Sequence, residues 1–400
     1  MVALGTLFTL VVAALASLFM AWTIGAGSSG STPFAPAVGA NAISVMRAGF
    51  IVGVLGLAGA ILQGANVTQA VGTELVGGGV LTATASTVAL LIAAALVASG
   101  VFTGYPIATA FTVTGAVVGV GLANGGTPAY AKYQQIASLW VLVPFVGGGA
   151  AYATARFLRN EAVPESVAVP ALGGLVGFLF ANIRFAILGG DGGGRSLAEI
   201  GAAATPPITV PAVGVDIGVL LMSLLFALVA AGLVRREVSA DMARGQRRFL
   251  LVLGGLVAFS AGGSQVGLAI GPLVPLLDAV AIPLVALLVG GGLGLLVGSW
   301  TGAPRMIKAL SQDYSSLGPR RSIAAMIPAF AIAQTAVALG IPVSFNEIIV
   351  SAIIGSGYAA GGGADVSREK MVKTALAWAG SLAVAFTTGY AVFTGVDLLL

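Results

Sequence analysis

Phe259–Pro272 reads Phe-Ser-Ala-Gly-Gly-Ser-Gln-Val-Gly-Leu-Ala-Ile-Gly-Pro and lies inside an apolar run long enough to cross a bilayer. Glycines, a proline and several polar side chains interrupt that run. Irregular backbone is not tolerated against lipid, because each unsatisfied peptide group costs several kcal/mol in hydrocarbon. The segment therefore predicts a broken helix that is buried in protein or lines a cavity. A partner segment in the other half of the chain is typical of secondary transporters.

Such a partner occurs near the start of the chain, at Gly25–Pro36, which reads Gly-Ala-Gly-Ser-Ser-Gly-Ser-Thr-Pro-Phe-Ala-Pro. The two segments belong to a set of landmarks that recur at nearly the same offset along the chain, as 342 − 106 = 236 and 370 − 132 = 238 show. The landmarks are Gly25 with Gly262, Pro106 with Pro342, Lys132 with Lys370, and Trp140 with Trp378. Several landmarks at a single offset indicate a duplicated unit.

Composition places this chain in a membrane. Hydrophobic residues make up 58% of the 400 and charged residues only 8%, whereas about a quarter of a soluble protein is charged. Repeated apolar runs of about 20 residues predict ten transmembrane helices. Two further Gly-rich stretches, 104–123 and 342–360, predict short re-entrant hairpins. The predicted fold is an all-α polytopic membrane protein with two repeats of about five transmembrane helices each.

Basic residues orient the two repeats. The second copy carries Arg305, Lys308, Arg320 and Arg321 before its hairpin, and the equivalent stretch of the first copy, 68–84, has neither lysine nor arginine. Because basic loops stay in the cytoplasm, the copies are predicted to have inverted topology. The division is residues 1–160 for the first repeat (broken segment 25–36, hairpin 104–123), 161–248 for linking helices and a basic cytoplasmic linker, and 249–400 for the second repeat (broken segment 259–272, hairpin 342–360).

The residue inventory excludes several kinds of chemistry. The chain has no cysteine and no histidine, which removes disulfides, thiolate chemistry and imidazole metal sites. The net charge of +4 is small and reflects membrane topology, not a nucleic-acid partner. Acidic residues in the apolar spans stand singly, and a Walker motif is missing. We therefore predict no enzyme, no catalytic residues, no metal site and no cofactor beyond a coupling ion.

Both interrupted segments resemble motifs of the PiT family of inorganic phosphate transporters, and the resemblance extends over essentially the whole chain. That family carries Gly-Ala-Asn-Asp-Val-Ala-Asn once per repeat, followed in the second copy by Ala-Ile-Gly-Pro. Residues of this chain in the same frame are Phe259, Ser260, Gly262, Val266, Ala269, Ile270, Gly271 and Pro272. The family's hairpin motif Pro-Val-Ser-Thr-Thr-His has its counterparts in Pro106–Phe111 and Pro342–Glu347, and the helices of Trp140 and Trp378 resemble the helix after each hairpin.

The resemblance implies a multi-pass transporter of inorganic phosphate in the cell membrane, which works by alternating access, is coupled to a cation and forms a homodimer. The motif's Asn-Asp pair, implied in sodium and phosphate binding, is here Gly27-Ser28 in the first copy and Ser264-Gln265 in the second. Both acidic positions are neutral, so Na⁺ and H⁺ remain alternatives for the coupling ion. A permease for sulfate or another oxyanion and an uncoupled anion channel remain alternative functions.

A tetrahedral oxyanion in mid-membrane must exchange its hydration shell for hydrogen-bond donors. Backbone N–H groups at half-helix N-termini supply some, because the helix dipole favours negative charge there. Neutral side chains supply the rest, and the predicted substrate-binding residues are Ser28, Ser29, Ser31, Thr32, Thr109, Thr112, Ser260, Ser264, Gln265, Ser344 and Asn346. For an isolated serine or threonine, the alternative is that a small residue only lets helices pack closely.

Glu347 is an ionisable residue in a nearly charge-free hairpin, which makes it a functional candidate for coupling or selectivity. As an acceptor, its carboxylate can bind the hydroxyl of monohydrogen phosphate, whereas sulfate has no hydrogen to give and would be repelled. Alternatively, Glu347 is protonated in one half of the cycle, which would make transport proton-linked. A third interpretation is a surface glutamate in a loop beside the hairpin.

Overall fold

The computed structural model describes residues 4–78, 81–189, 194–203, 209–210, 215–277, 282–361 and 366–399. Helices follow one another from end to end, as expected for a chain with long apolar runs. The helices before the centre of the chain are α1 (Leu4–Ile24), α2 (Ala35–Gly39), α3 (Val45–Gln63), α4 (Ala65–Thr73), α5 (Ala83–Thr103), α6 (Thr109–Ala123), α7 (Tyr130–Leu158), α8 (Glu165–Ala181) and α9 (Leu197–Ala202). A π-helical turn, Gly25–Ser29, extends α1.

Three short antiparallel strand pairs lie between the helices, and the second part of the chain continues in the same helical way. The pairs are β1 (Val76–Gly77) with β2 (Thr127–Pro128), β3 (Arg184–Phe185) with β4 (Arg195–Ser196), and β5 (Thr209–Val210) with β6 (Val215–Asp216). The remaining helices are α10 (Ile217–Ala240), α11 (Met242–Ile270), α12 (Leu284–Thr301), α13 (Ala303–Gln312), α14 (Pro319–Leu339), α15 (Phe345–Gly361) and α16 (Arg368–Asp397). Short 3-10 turns lie at Ala186–Leu188 and Gly271–Leu276.

Within the described residues, nine helices are long and apolar enough to cross a membrane. The tenth predicted span corresponds to α8, which has 17 residues and is shorter than the others. Large apolar side chains such as Phe145 and Leu228 are 73% and 72% exposed, as expected for surfaces that face lipid instead of water. The chain is a multi-pass membrane protein.

The stretches 104–123 and 342–360, which were expected to be re-entrant hairpins in themselves, each form only the tip and the returning helix of a longer helical hairpin. In each, a long helix ends at a glycine with left-handed backbone, Gly104 (φ +77) after α5 and Gly340 (φ +60) after α14. Only glycine adopts that conformation without strain, so it stops the helix and turns the chain. An irregular tip follows, and the chain returns as α6 or α15, of 15 and 17 residues.

Each returning helix packs against the long helix of the other half. Helix α16 lies along α6, and α7 lies along α15. Trp378 of α16 donates its indole N–H to the carbonyl of Pro106 at 2.8 Å, and Trp140 of α7 donates to Pro342 at 2.9 Å. The two halves therefore hold each other's hairpin tips by the same contact.

The two glycine-rich segments differ more than their sequences suggest. The first is broken, because the π-helical turn at Gly25–Ser29 gives way to turns before the short helix α2. The second was expected to be broken throughout Phe259–Pro272, but α11 runs without interruption to Ile270 and the break lies at Gly271 and Pro272. Glycine within a helix costs only about 1 kcal/mol, so the buried packing of α11 outweighs that cost.

The main role of the glycines in these segments is to let neighbouring helices pack closely. A Cβ on Gly262 would lie 1.9 Å from the carbonyl oxygen of Gly56, and one on Gly25 would lie 2.2 Å from that of Leu295. Backbones approach this closely only where no side chain intervenes. The same close approach brings the neighbouring polar residues of each segment to the centre of the molecule.

The predicted cytoplasmic linker is also more regular than expected. Residues 235–248 form the end of α10 and the start of α11, with a single residue, Asp241, between them. Asp241 caps α11 by accepting the N–H of Arg244 at 3.0 Å. Helix α11 therefore begins at Met242, within the predicted linker.

Candidate functional site

Ser28 and Gln265, the residues at the two neutral motif positions, are in direct contact. The hydroxyl of Ser28 donates to the amide oxygen of Gln265 at 3.1 Å, across 237 positions of sequence, and both residues are 0% exposed. Ser28 lies on the π-helical turn and Gln265 lies on α11. The two glycine-rich segments therefore meet in the interior of the protein.

Gln265 also reaches both hairpin tips. Its amide oxygen accepts a second hydrogen bond from the hydroxyl of Thr109, at 2.9 Å, and its amide nitrogen donates to the carbonyl of Val343 at 2.7 Å. Thr109 is the first residue of α6, and Val343 lies in the tip before α15. One side chain thus connects α11, the π-helical turn and the two tips.

Asn346 is a second amide that bridges the halves. From the first turn of α15, its amide nitrogen donates to the carbonyls of Gly27 at 3.0 Å and Ile107 at 2.7 Å. Gly27 belongs to the first glycine-rich segment and Ile107 to the first hairpin tip. With Gln265, Asn346 gives the centre of the protein a network of neutral groups drawn from four separate segments.

Three buried polar atoms at this centre have no hydrogen-bond partner among the described residues. They are the hydroxyl oxygen of Ser264, the amide oxygen of Asn346 and one carboxylate oxygen of Glu347. Buried polar atoms are nearly always satisfied in folded proteins, and leaving one unpaired costs about 1–3 kcal/mol. All three atoms belong to residues predicted from the sequence to form the site: Ser264 precedes Gln265 on α11, and Asn346 and Glu347 lie in the first turn of α15.

Glu347 gives this centre its electrostatic character. It is 1% exposed, and among the described residues no other aspartate, glutamate, lysine or arginine is buried. Its backbone N–H lies 3.5 Å from the hydroxyl of Ser344, at the limit of a hydrogen bond. The interpretation of Glu347 as a surface glutamate is therefore wrong, because the residue points its carboxylate into protein.

Several predicted donors are buried here but already donate to nearby carbonyls. Ser31 and Thr32 both donate to the carbonyl of Ser28, at 3.2 and 3.0 Å, and Thr112 donates to that of Ala108 at 3.0 Å. Ser29 makes only a long contact of 3.5 Å with the carbonyl of Ile24. In this conformation these hydroxyls close local turns, and they can offer a ligand acceptor lone pairs only.

Ser260 belongs to a different polar cluster. It donates to the carbonyl of Leu256 at 2.8 Å and accepts from the amide of Gln334 at 2.6 Å. Gln334 and Gln63 pair through their amides, and both line a polar cavity of about 580 Å³ with Arg184. Sequence reasoning missed Gln63 and Gln334, whose only signal is an amide within an apolar span.

Among the described residues, the centre has no ligand set for a multivalent metal, and in this conformation its donors are largely engaged by protein carbonyls and amides. Within the described part of the chain, there is no group of three or more Asp, Glu, His or Cys side chains that could hold a metal ion. The amide oxygen of Gln265, which occupies a position where the PiT motif has an acid, is engaged by Ser28 and Thr109. What the centre offers is hydroxyls, amides, a helix start and one carboxylate.

A helical bundle that crosses the membrane many times around a buried polar centre is the architecture of a membrane transporter. Comparison with known families makes that class specific. The chain belongs to the phosphate transporter family, whose model matches residues 24–389. The family consists of transporters and not of enzymes, as the residue inventory led us to expect.

Individual relatives agree with this membership. A protein of Thermococcus kodakarensis named "Putative phosphate permease" is 25% identical over 86% of each chain. The Arabidopsis thaliana protein "Inorganic phosphate transporter 2-1, chloroplastic" is 24% identical over 86% of this chain and 65% of its own. A solved structure, "The sodium-dependent phosphate transporter", superposes with a TM-score of 0.80 over 98% of this chain and 100% of its own at 22% identity, which shows the same fold.

Proposed function

We propose that this protein is a secondary active transporter that carries inorganic phosphate across the cell membrane by alternating access. The observation that carries the proposal is the buried centre around Gln265 and Asn346, where four segments from both halves meet and polar atoms lack partners. Membership of the phosphate transporter family and the names of the relatives support phosphate as the substrate. Ser28, Thr109, Gln265, Ser344 and Asn346 would bind the anion after giving up the contacts that they make with one another and with nearby carbonyls in this conformation.

Alternating access needs two halves that move against each other around a fixed site. We propose that the helices α1–α7 and α11–α16 are inverted copies that form these halves. Support comes from the reciprocal tip contacts of Trp140 and Trp378 and from the charge difference between the loops that precede α5 and α14. The halves would rock about the network of Gln265 and Asn346, exposing it to one face at a time.

The chemistry of Glu347 favours monohydrogen phosphate over sulfate. An ionised carboxylate accepts a hydrogen bond from the phosphate hydroxyl but repels an anion that has no hydrogen. A carboxylate and a divalent anion also repel each other in a site that has no basic side chain among the described buried residues. We propose that one proton enters with the anion and is shared between the phosphate hydroxyl and the Glu347 carboxylate, so that the carboxylate still accepts this hydrogen bond and the proton is the coupling ion.

Sodium coupling is the alternative, and the sodium-dependent neighbour makes Na⁺ a plausible partner for the fold. The two motif positions are the neutral residues Ser28 and Gln265, and the hydroxyl of Ser28 donates to the amide oxygen of Gln265. Both observations argue against a sodium site. A sulfate or other oxyanion permease and an uncoupled channel are further alternatives. The homodimer implied by the family resemblance stays a prediction.

One reconstitution experiment separates these functions. Proteoliposomes containing the purified protein would take up labelled phosphate or sulfate under an inward sodium gradient, an acid-outside pH step, both or neither. We expect phosphate to accumulate above its external concentration after the pH step without sodium, and sulfate to accumulate less. Faster sulfate uptake would favour the sulfate permease, downhill flux alone would favour the channel, and a strict need for sodium would contradict proton coupling.

A further inference from the structure

Lys132, at the start of α7, contacts the tip of the second hairpin from the other half of the protein. Its ammonium nitrogen lies 2.8 Å from a carboxylate oxygen of Glu74 and donates to the carbonyl of Gly340 at 3.4 Å. The Lys132 side chain is 11% exposed. Gly340 is the left-handed residue that ends α14, and the tip it begins leads directly to Val343, the acceptor of Gln265.

Lys370, at the start of α16, makes the equivalent contact with the first hairpin. Its ammonium nitrogen lies 2.7 Å from a carboxylate oxygen of Asp313 and 4.7 Å from the ring centre of Tyr105. Tyr105 follows Gly104, the left-handed residue after α5, and leads through the tip to Thr109 of the site. A cation over an aromatic ring is attracted to its negative face.

The two arrangements are counterparts along the chain as well as in space. The sequence offset between Lys132 and Lys370 (370 − 132 = 238) agrees within one position with that between their acidic partners, Glu74 and Asp313 (313 − 74 = 239). In both cases the lysine belongs to one half and the hairpin tip to the other. Each lysine pairs with an acid of its own half and also reaches the other half's tip, Lys132 through a hydrogen bond and Lys370 through an aromatic ring, which argues against a chance surface ion pair.

The two contacts lie at opposite ends of the bundle. Asp313 follows α13 and stands just before the start of α14, where Arg320 pairs with Glu165, which also accepts from Gln246 near the start of α11. Glu74 instead follows α4, which packs on the 3-10 turn at the far end of α11. With 29 residues, α11 is about 43 Å long, enough to separate the two faces of a membrane.

We infer that Lys132 and Lys370 are positioning residues, each of which holds the opposite half's hairpin tip shut over the site at one face of the membrane. The inference rests on the proposed alternating access. Arginines in 235–248 place the Lys370 contact at the cytoplasmic face and the Lys132 contact at the outer face. For the site to open to one face of the membrane, the lysine at that face must release its tip while the lysine at the other face keeps its contact.

The chain contains no cysteine, so single-cysteine reporters can test this directly. Val343→Cys reports on the second tip and Ile107→Cys on the first, because both are the second residue of their hairpin motifs. Each reporter would be combined with Lys132→Met or Lys370→Met, which keep the length of the side chain and remove its charge. The measurement is the labelling rate with a membrane-impermeant maleimide in right-side-out and inside-out vesicles, without substrate.

Lys132→Met should raise labelling of Val343→Cys from the outer face by about threefold or more, and Lys370→Met should raise labelling of Ile107→Cys from the inner face likewise. Removing a favourable ion pair of this kind shifts a two-state equilibrium by such a factor. Lys132→Arg and Lys370→Arg should restore the original rates, because they keep the charge. Lys373→Met is the matched control, since Lys373 lies one turn from Lys370 and its ion pair within the described residues is with Glu369 of its own helix.

Unchanged rates in both methionine variants, or a rise on both faces from either one, would overturn the inference. If a lysine variant fails to reach the membrane, Glu74→Gln and Asp313→Asn test the same two contacts from their acidic side and should give the same one-sided increases. The labelling needs no transport, so its failure leaves phosphate uptake as a separate measurement. If the lysine variants show the expected one-sided increases in labelling but the unmodified protein takes up no phosphate, the proposed function is contradicted and the positioning role is not.

Discussion

The two hairpin tips have the same backbone and opposite chemistry. Phe111 of the first tip and Glu347 of the second occupy equivalent positions, since each is the last residue of its hairpin motif. Phe111 stacks on Trp140, with ring centroids 3.9 Å apart and planes inclined by 20°. Glu347 is buried with a carboxylate oxygen that has no partner among the described residues. At this position the first tip therefore carries an aromatic contact and the second tip carries an ionisable group.

The glycine-rich segments diverge in the same sense. In the first copy, Ser28 offers one hydroxyl on a π-helical turn; in the second, Gln265 offers an amide from an intact helix and connects three partners. The proposed duplication would give the two halves similar helices without requiring their central side chains to remain alike. The asymmetry suggests that the second copy dominates recognition and coupling, and each prediction below tests that difference.

Gln265→Leu should have the largest effect. It removes one acceptor and one donor of the network and leaves Ser28, Thr109 and the Val343 carbonyl without their shared partner. At about 1 kcal/mol per lost bond, the rate of phosphate uptake should fall about 100-fold. Ser28→Ala, which removes one bond from the first copy, should lower it only about fivefold. Initial uptake rates at equal protein content give the comparison, and equal losses would contradict the asymmetry.

Glu347→Gln should change coupling more than it changes folding. The amide keeps the shape of the carboxyl group but cannot carry a proton, so the stimulation of phosphate uptake by an acid-outside pH step should disappear. The preference for phosphate over sulfate should fall about tenfold, since a hydrogen bond to a charged group is worth about 1.5–3 kcal/mol. Phe111→Leu at the equivalent position should retain both properties. A pH response and an anion preference like those of the wild type in Glu347→Gln would refute this role.

Much of the fold was readable from the sequence because the bilayer limits the choices. Apolar runs of the right length, Gly104 and Gly340 before the tips, and the recurring Trp140 and Trp378 each follow from a local physical requirement. The continuity of α11 through Phe259–Ile270 did not follow. Local propensity disfavours its glycines, and only their close packing against α3, at Gly56, explains why the helix persists.

The sequence could indicate which segments contribute polar residues to the site, but not which hydrogen bonds those residues make. Both Ser28 and Gln265 were singled out because they stand at one motif position, and the structure brings them into contact. It could not tell that Ser31 and Thr32 donate to the carbonyl of Ser28 while Asn346 spans the halves, because sequence spacing does not fix where a hydroxyl or amide points. Gln334 could not be predicted from the duplicated pattern, because it has no counterpart in the other half.

Substitutions at the two tryptophans should give the smallest effects and sharpen the comparison of the tips. Trp140→Phe and Trp378→Phe each remove one N–H donor and leave a buried proline carbonyl unpaired, so each should lower the free energy of unfolding by about 1 kcal/mol. The leucine variants should differ from each other. Trp140→Leu also loses the stack with Phe111, worth about 0.5–1.5 kcal/mol, whereas the described residues show no ring stacked on Trp378. Thermal unfolding midpoints in detergent should therefore fall further for Trp140→Leu than for Trp378→Leu and equally for the two phenylalanine variants; equal midpoints for the leucine pair would mean that the first tip's aromatic support adds no stability.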